Sequence, residues 1–310
     1  MKKPVNNKLA LTGVTGYKSG RTLAEHISLH IDDVLLMFRG GVSVLCRKTS
    51  HTDTLEHLLP NARICRGSFE DSEFLTQALV GVDTLLHVAG IHHSRKLVDA
   101  AIRSGVRRVI LVHTTGIYSK YKEAGEEYRL TDAYVEEQCA KHGTILTILR
   151  PTMIYGNIHD QNVVKFIRMV DKLPVMPVVN DARYELQPVH YKDLGKAYFD
   201  VLMNESATAN KNYDLSGGEV IYLRDMLEII GHNLGKDMRF ASCPYTVAYA
   251  GAWCLYVMTL GRIDYREKVQ RLCEPRVYGH EEASRDFGYA PRAFRDGIVD
   301  EVKEYLAGKS

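Results

Sequence analysis

The sequence has no large excess of basic or acidic residues, no cysteines in a CxxC pair and only one tryptophan. Its 40 basic and 38 acidic residues give a formal net charge of +2 without any basic block, so we expect no nucleic-acid partner. The six cysteines form no CxxC motif, which argues against zinc and dithiol sites and is typical of a reducing compartment. Internal repeats and low-complexity linkers are also missing. The length of 310 residues is enough for one large domain, or for a domain with an added lobe.

The sequence also lacks a clear signal peptide and a clear membrane-spanning helix. Thr12 and Gly13 interrupt the apolar run near the N-terminus, so we expect no signal peptide and a cytoplasmic location. The most apolar stretch, Cys243–Leu260, has about 18 residues, the short limit for a bilayer span. We predict a helix that packs in the C-terminal lobe, without a membrane partner. The tyrosines and tryptophan of this stretch leave a membrane-surface role open.

The most informative stretch is Lys8–Gly20, where a short apolar run meets a glycine-rich turn and then a helical pattern. A strand, a glycine turn and a helix form the layout that binds the pyrophosphate of a dinucleotide. Glycine lets the backbone approach the phosphates, and the helix N-terminus offers free N–H groups. The alternative is a tight turn that packs a helix on a sheet and binds nothing. The contacts predicted from this turn are Thr12, Gly13, Thr15, Gly16 and Tyr17.

The second predicted strand, Val42–Cys46, ends at Arg47 and Lys48. This position faces the adenosine ribose in dinucleotide-binding sheets, where a carboxylate binds the 2′-hydroxyl of NAD and basic residues suit the 2′-phosphate of NADP. We therefore predict NADP, with NAD as the alternative cofactor. A solvated basic loop would give the same sequence.

Strand and helix patterns alternate along the chain, with further strands near residues 62–67, 82–90, 106–112 and 144–149. This alternation predicts an α/β fold with a Rossmann-like, doubly wound parallel sheet. We assign residues 1–156 to a dinucleotide-binding domain, with returning segments near 187–218. Residues 157–186 and 219–310 are predicted to form a smaller, C-terminal substrate-binding lobe.

The glycine turn resembles the TGxxGxxG turn of extended and atypical short-chain dehydrogenase/reductases, with Ser19 at the third glycine and Gly20 just after it. Passages similar to the same superfamily lie at 67–90, 148–156 (ILRPTMIYG), 187–194, 213–218 and 287–291. The resemblance covers nearly the whole chain. It implies an NAD(P)-dependent epimerase, dehydratase or other oxidoreductase acting on a small hydroxylated substrate, such as a nucleotide sugar. It also implies a homodimer formed through the helices that contain Arg95 and Tyr128.

The same resemblance implies further cofactor and substrate contacts. The additional cofactor residues are Ser68, where the family often has aspartate, and Phe69, Val88, Ala89, Gly90 and Pro151. Substrate contacts are expected where the second lobe meets the sheet, and the candidates are Asn157, His159, Asn162, Arg183, Tyr184, His190 and Arg262. Either of the two arginines suits a phosphate group. The alternative for all seven is a role as surface or lobe-packing polar residues.

In this superfamily a tyrosine, a lysine four residues later and a serine or threonine carry the acid–base chemistry. The resemblance assigns Thr114 and Tyr128, but the lysine position holds Asp132. A carboxylate close to the phenol would raise its pKa, the opposite of what a base at neutral pH requires. Positive charge would then come from other residues, and the candidates are Lys120, Lys122, His92 and His93.

Asp132 leaves two functions open. One is an enzyme in which Tyr128 moves the proton and Thr114 orients the substrate oxygen. The other is an NAD(P)-binding regulatory or sensor protein without turnover, since superfamily members without the lysine include such proteins. A membrane-associated dehydrogenase of the hydroxysteroid type is a third alternative, based on the apolar stretch 243–260. No metal is predicted, because His92 and His93 have no further ligand at zinc-like spacing.

Overall fold

The computed structural model describes residues 7–121, 123 and 125–309. Its strands are Lys8–Thr12 (β1), Val42–Cys46 (β2), Arg63–Arg66 (β3), Val82–His87 (β4), Arg108–Val112 (β5), Ile145–Pro151 (β6), Ile154–Tyr155 (β7), Met176–Val179 (β8), Glu185–Leu186 (β9), Val189–His190 (β10), Lys211–Leu215 (β11), Ile221–Tyr222 (β12) and Phe240–Cys243 (β13). Its α-helices are Ser19–Leu29 (α1), Ile31–Met37 (α2), Asp53–Leu58 (α3), Ser72–Ala78 (α4), Ser94–Arg103 (α5), Gly125–His142 (α6), Val163–Lys172 (α7), Tyr191–Met203 (α8), Glu205–Thr208 (α9), Leu223–Asn233 (α10), Tyr245–Met258 (α11), Arg266–Leu272 (α12), Glu281–Phe287 (α13) and Phe294–Ala307 (α14).

Seven strands form the central sheet in the order β3-β2-β1-β4-β5-β6-β11, and every neighbouring pair is parallel. The order reverses direction between β1 and β4, so the loops after these strands diverge and leave a crevice at their carboxyl ends. The predicted α/β fold with a doubly wound parallel sheet is therefore confirmed.

The strands read as continuous apolar runs because helices cover both faces of the sheet. In β1, Leu9, Ala10 and Leu11 are all fully buried. The side chains of Leu9 and Leu11 join the core under α1 and α8, and Ala10 faces the core under α4, α5 and α6. This burial fixes the end of β1, and with it the glycine turn, against the rest of the sheet.

The returning segment and the lobe follow the sheet in the chain. Helix α8 packs along α1, and β11 joins the sheet beside β6. A third core lies outside the sheet, where apolar side chains of α7, α10 and α14 meet. Short two-stranded ladders, β7 with β10, β9 with β12 and β8 with β13, brace this lobe.

The apolar stretch 243–260 forms helix α11, but it does not pack in the lobe as the sequence predicted. Ala252 is its one buried residue, and Trp253, Met258 and the following Leu260 are 52%, 82% and 89% exposed. Helix α11 has apolar side chains on every side, but α12 packs against one side of it and leaves the others exposed. Within the described residues, no helix has the length and apolar content needed to cross a bilayer.

Candidate active site

The glycine turn brings the ends of β1 and β4 into close contact. Gly13 has a φ of +78°, and a Cβ at this residue would lie 2.6 Å from the main-chain nitrogen of Ala89. A Cβ on Gly20 would overlap the carbonyl oxygen of Gly13. Gly20 therefore allows α1 to pack closely against the turn, although Ser19 occupies the third glycine position of the TGxxGxxG pattern. Gly16 differs from both, because a Cβ there would meet no described atom within 4 Å.

A buried histidine that the sequence reasoning missed holds this turn. Nε2 of His87 donates to the carbonyl of Gly90 (2.8 Å), so Nδ1 is the acceptor for the Thr12 hydroxyl (2.5 Å). Burial lowers the pKa of His87 to about 3, which keeps the ring neutral. Because the Thr12 hydroxyl is hydrogen-bonded to His87, Thr12 would contact a cofactor through its main chain. The one sequence signal was a polar residue ending an apolar strand.

An open cavity of about 340 Å³ lies at the switch point of the sheet. Six predicted cofactor residues line it, namely Gly13, Thr15, Gly16, Arg47, Phe69 and Ala89. Four further residues complete the lining, namely Leu45, Cys46, Ser50 and His93. The His93 ring lies against the Phe69 ring, with centroids 5.4 Å apart. A partly apolar space next to a glycine turn and the N-terminus of α1 fits the adenosine and phosphates of a dinucleotide.

The other predicted cofactor residues lie around this cavity without lining it. Lys48 and Ser68 are exposed, and the Ser68 hydroxyl accepts from the main-chain nitrogen of Glu70 (3.1 Å). The Tyr17 ring stacks on His159 of the second lobe (4.7 Å). Val88 and Gly90 continue the main chain after β4, and Pro151 ends β6.

A second cavity, here called the cleft, has a volume of about 210 Å³ and opens where β5 and β6 end. The predicted Thr114 lies in its wall, and its hydroxyl accepts from the main-chain nitrogen of Gly116 (3.0 Å). The cleft is lined by Thr114, Thr115, Gly116, Ser119, Thr152, Met153, Asn162, Leu186, Gln187, Arg271, Arg276 and Tyr278. The sheet and the lobe thus both contribute to one polar site.

Tyr128 is buried in the first part of α6, in a small cluster with Ile91 and Ile117. The His92 ring meets it edge-on, with centroids 5.6 Å apart. Burial raises the pKa of the Tyr128 phenol, and the Glu127 carboxylate raises it further, whereas the Arg271 guanidinium acts in the opposite direction. A residue of the cleft wall therefore supplies positive charge to this tyrosine.

Asp132 does not act on Tyr128 as the sequence suggested, because two other side chains hold its carboxylate. It accepts from Nδ1 of His113 (2.6 Å) and from Nε and Nη2 of Arg150 (2.9 and 2.7 Å), and all three residues are buried. Burial alone would raise the pKa of Asp132, but the His113 hydrogen bond and the Arg150 charge outweigh it and lower the pKa. The carboxylate that raises the Tyr128 pKa is Glu127.

The same network contains a serine, a histidine and an aspartate that are hydrogen-bonded in the order found in hydrolase catalytic triads. The Ser94 hydroxyl donates to Nε2 of His113 (2.8 Å), and His113 donates to Asp132. Ser94 is 0% exposed and His113 is 4% exposed, so no substrate reaches the hydroxyl. The network instead connects α5, β5, α6 and β6 behind the cleft.

The structure separates the other predicted sources of positive charge. The main-chain nitrogen of Lys120 donates to Glu274 (2.9 Å), and Lys122 lies outside the described residues. His93 faces Glu70 (3.3 Å) at the first cavity. His92 alone among them contacts Tyr128 within the described chain. Arg271 was not predicted, because its position depends on how α12 folds back over the sheet.

Of the seven predicted substrate residues, Asn162 lines the cleft, whereas His159 stacks on Tyr17 and the other five lie elsewhere. Asn157 Nδ2 donates to the main-chain carbonyl of Tyr17 (2.8 Å), and the Tyr184 hydroxyl accepts from Asn180 (2.7 Å). His190 is buried and caps α8. The remaining two, Arg183 and Arg262, are exposed. The arginines in the cleft wall are Arg271 and Arg276.

Two further features bear on cofactor chemistry. All six cysteines are free thiols. Across residues 7–121, 123 and 125–309, no group of three or more His, Cys, Asp or Glu side chains is placed to hold a metal ion.

Residues 29–173 match a family model described as NAD(P)H-binding. The 2-alkyl-3-oxoalkanoate reductase of Stenotrophomonas maltophilia (strain K279a) is 24% identical, over 81% of this chain and 88% of that protein. The dTDP-glucose 4,6-dehydratase of Streptomyces venezuelae, solved with NAD and TYD bound, is 20% identical with a TM-score of 0.68, over 97% and 98% of the two chains. The UDP-glucose 4-epimerase of Thermotoga maritima, solved with UDP-glucose, is 17% identical with a TM-score of 0.69, over 98% and 100%.

The sheet order, the glycine turn at its switch point and the family match define an α/β protein with an NAD(P)H-binding segment. Its fold is that of NAD-dependent epimerases and dehydratases. The predicted resemblance is confirmed to this extent: residues 29–173 match an NAD(P)H-binding family model, and the chain shares the fold of solved epimerases and dehydratases.

Proposed function

We propose that this protein is an NADP-dependent oxidoreductase that acts at a hydroxyl- or carbonyl-bearing carbon of a substrate with a neighbouring anionic group. The observation that carries the proposal is the pair Arg271 and Arg276 in the wall that also contains Thr114. Nε of each arginine is buried and has no hydrogen-bond partner among the described residues. An unpartnered buried guanidinium nitrogen is costly, and an anion bound there would satisfy it.

The electrostatics of the pair favour the same ligand chemistry. Burial lowers the pKa of Arg276, and the charge of Arg271 lowers it further. A carboxylate or phosphate between the two guanidinium groups would relieve their repulsion and accept from both. The related reductase is named for an alkanoate, and the two solved relatives hold nucleotide or nucleotide-sugar phosphates.

The proposed roles follow from the positions of the side chains. A bound nicotinamide would supply hydride transfer, and the residues around the first cavity would hold its dinucleotide. Thr114 would orient the substrate oxygen at the cleft, and Tyr128 would exchange the proton. Arg271 would lower the pKa of Tyr128, the effect that the lysine has in the superfamily.

We expect Arg271→Gln to raise the pKa of the Tyr128 phenol, since the nearby positive charge is lost. Arg271→Lys should keep most of the effect. The phenol can be titrated by NMR with carbon-labelled tyrosine, using Tyr128→Phe to assign its signal, so no substrate is needed. An unchanged titration in Arg271→Gln would remove Arg271 from the proposed chemistry.

The proposed NADP preference depends on Arg47, which lines the first cavity together with Ser50, whereas Lys48 is not among its lining residues. We expect Arg47→Asp to weaken NADP binding by about tenfold or more and to favour NAD, because a carboxylate repels the 2′-phosphate and accepts from the 2′-hydroxyl. Lys48→Asp makes the same charge change and should alter the preference much less. Isothermal titration with both dinucleotides measures this. Equal effects of the two variants would mean that only the overall charge matters.

Binding without turnover is the second candidate, and Asp132 in place of the lysine favours it. An assay of NADPH consumption with 3-oxo acids, and of epimerisation with nucleotide sugars, separates the two. Turnover that disappears in both Tyr128→Phe and Thr114→Val supports the enzyme. Binding of NADP without turnover on either substrate class would favour the sensor.

A further inference from the structure

Helix α11 presents an apolar surface that the described chain leaves uncovered. We call this surface the α11 face, and it consists of Val247, Trp253, Val257, Met258, Leu260 and Ile263, which are 40% to 89% exposed. No charged residue occurs between Arg239 and Arg262. A helix that is apolar on all sides is stable only when it is buried in protein or in lipid, and α12 covers a single side of α11.

Two exposed cations without a carboxylate partner among the described residues border the α11 face. Arg262 and Lys268 are exposed, and neither has a carboxylate within salt-bridge distance among the residues that the structure describes. In contrast, the neighbouring Arg266 is paired with Asp264. Exposed cations at the edge of an apolar, aromatic surface match the anionic headgroups and hydrocarbon of a bilayer.

The α11 face is also continuous with the cleft. Helix α12 packs on α11 and contains Arg271, which lines the cleft. Tyr245 in the first turn of α11 lies beside Gln270 and Tyr121, and Tyr121 is two residues after Ser119 in the cleft wall. A bilayer that bound α11 would therefore lie next to the cleft.

We propose that the α11 face docks the protein on an anionic bilayer, so that a substrate with an anionic head and a hydrocarbon chain passes from the bilayer to the cleft. The choice of substrate rests on the proposed function, but the docking does not. A second copy of the chain fits less well, because a two-fold interface through α11 would gather Arg262 and Lys268 from both subunits at the same contact.

The chain's single tryptophan lies on the α11 face, so its fluorescence reports the docking directly. The full chain is mixed with vesicles of phosphatidylcholine containing phosphatidylglycerol. We expect a blue shift of Trp253 emission and co-sedimentation with the vesicles. Val257→Glu with Met258→Glu should lower vesicle binding at least about tenfold, since carboxylates would enter the hydrocarbon. Leu36→Glu with Val80→Glu is the matched control, as both residues are exposed elsewhere.

Arg262→Gln with Lys268→Gln should weaken binding to anionic vesicles and leave the weak binding to pure phosphatidylcholine unchanged. Absence of both the blue shift and co-sedimentation in the wild type would overturn the docking. So would a blue shift without vesicles that grows with protein concentration and accompanies dimers in sedimentation, since a second copy would then cover α11. NADPH binding and turnover of a soluble substrate should persist in the α11 double variant, which separates this test from that of the proposed function.

Discussion

Gly16→Val is expected to fold normally and to bind NADP and NAD at least about tenfold more weakly, a loss of about 1.4 kcal/mol or more. Gly16 borders the first cavity, and a Cβ at this position would meet no described atom within 4 Å. The added valine methyl groups would therefore occupy space at the predicted phosphate position without disturbing the fold. Titration calorimetry, together with thermal unfolding of the free protein, measures both parts of the prediction.

The controls for this variant separate binding from packing. Gly251 in α11 also has no atom within 4 Å of an added Cβ, so Gly251→Val should leave dinucleotide binding unchanged. Gly13→Val should instead destabilise the protein, because its positive φ and the 2.6 Å approach to Ala89 exclude a side chain. Unchanged affinity in Gly16→Val would mean that the diphosphate does not lie at this turn, and the cofactor assignment would fail.

Asp132→Asn is expected to lower the free energy of unfolding by about 3–5 kcal/mol, since it removes the buried carboxylate that accepts two hydrogen bonds from the buried Arg150 guanidinium. Asp132→Lys restores the lysine of the superfamily but should be more harmful, because it places an ammonium group against the Arg150 guanidinium. Urea denaturation measures the loss. Glu127→Gln is an exposed control on the same helix and should change stability by no more than about 0.5 kcal/mol.

A folded Asp132→Lys variant with new or higher turnover would contradict this expectation. It would mean that position 132 serves the reaction, as the resemblance to short-chain dehydrogenase/reductases implies. If Asp132→Lys destabilises the protein as expected, the absence of a lysine at position 132 is explained by the buried contacts of Asp132. The buried carboxylate holds Arg150 and His113 behind the cleft, and the charge for Tyr128 comes from elsewhere.

Much of the dinucleotide half could be predicted, because its signals are local. The apolar run before Gly13 and the alternation of strands and helices determine the parallel sheet, and parallel strands place all their following loops at one edge. Gly13, Thr15, Gly16, Arg47, Phe69 and Ala89 thus line one cavity, as expected from their positions after strands. The role of His87 could not be predicted from the sequence, because its contacts with Thr12 and Gly90 depend on how the strands pair.

The sequence by itself therefore determined the fold and predicted the cofactor site, through spacing and periodicity along the chain. Tertiary structure alone decided that Asp132 faces Arg150, that Arg271 and Arg276 reach the cleft, and that α11 remains uncovered. The physical reason is that each of these depends on contacts between segments far apart in the chain, and no local pattern encodes which segments meet.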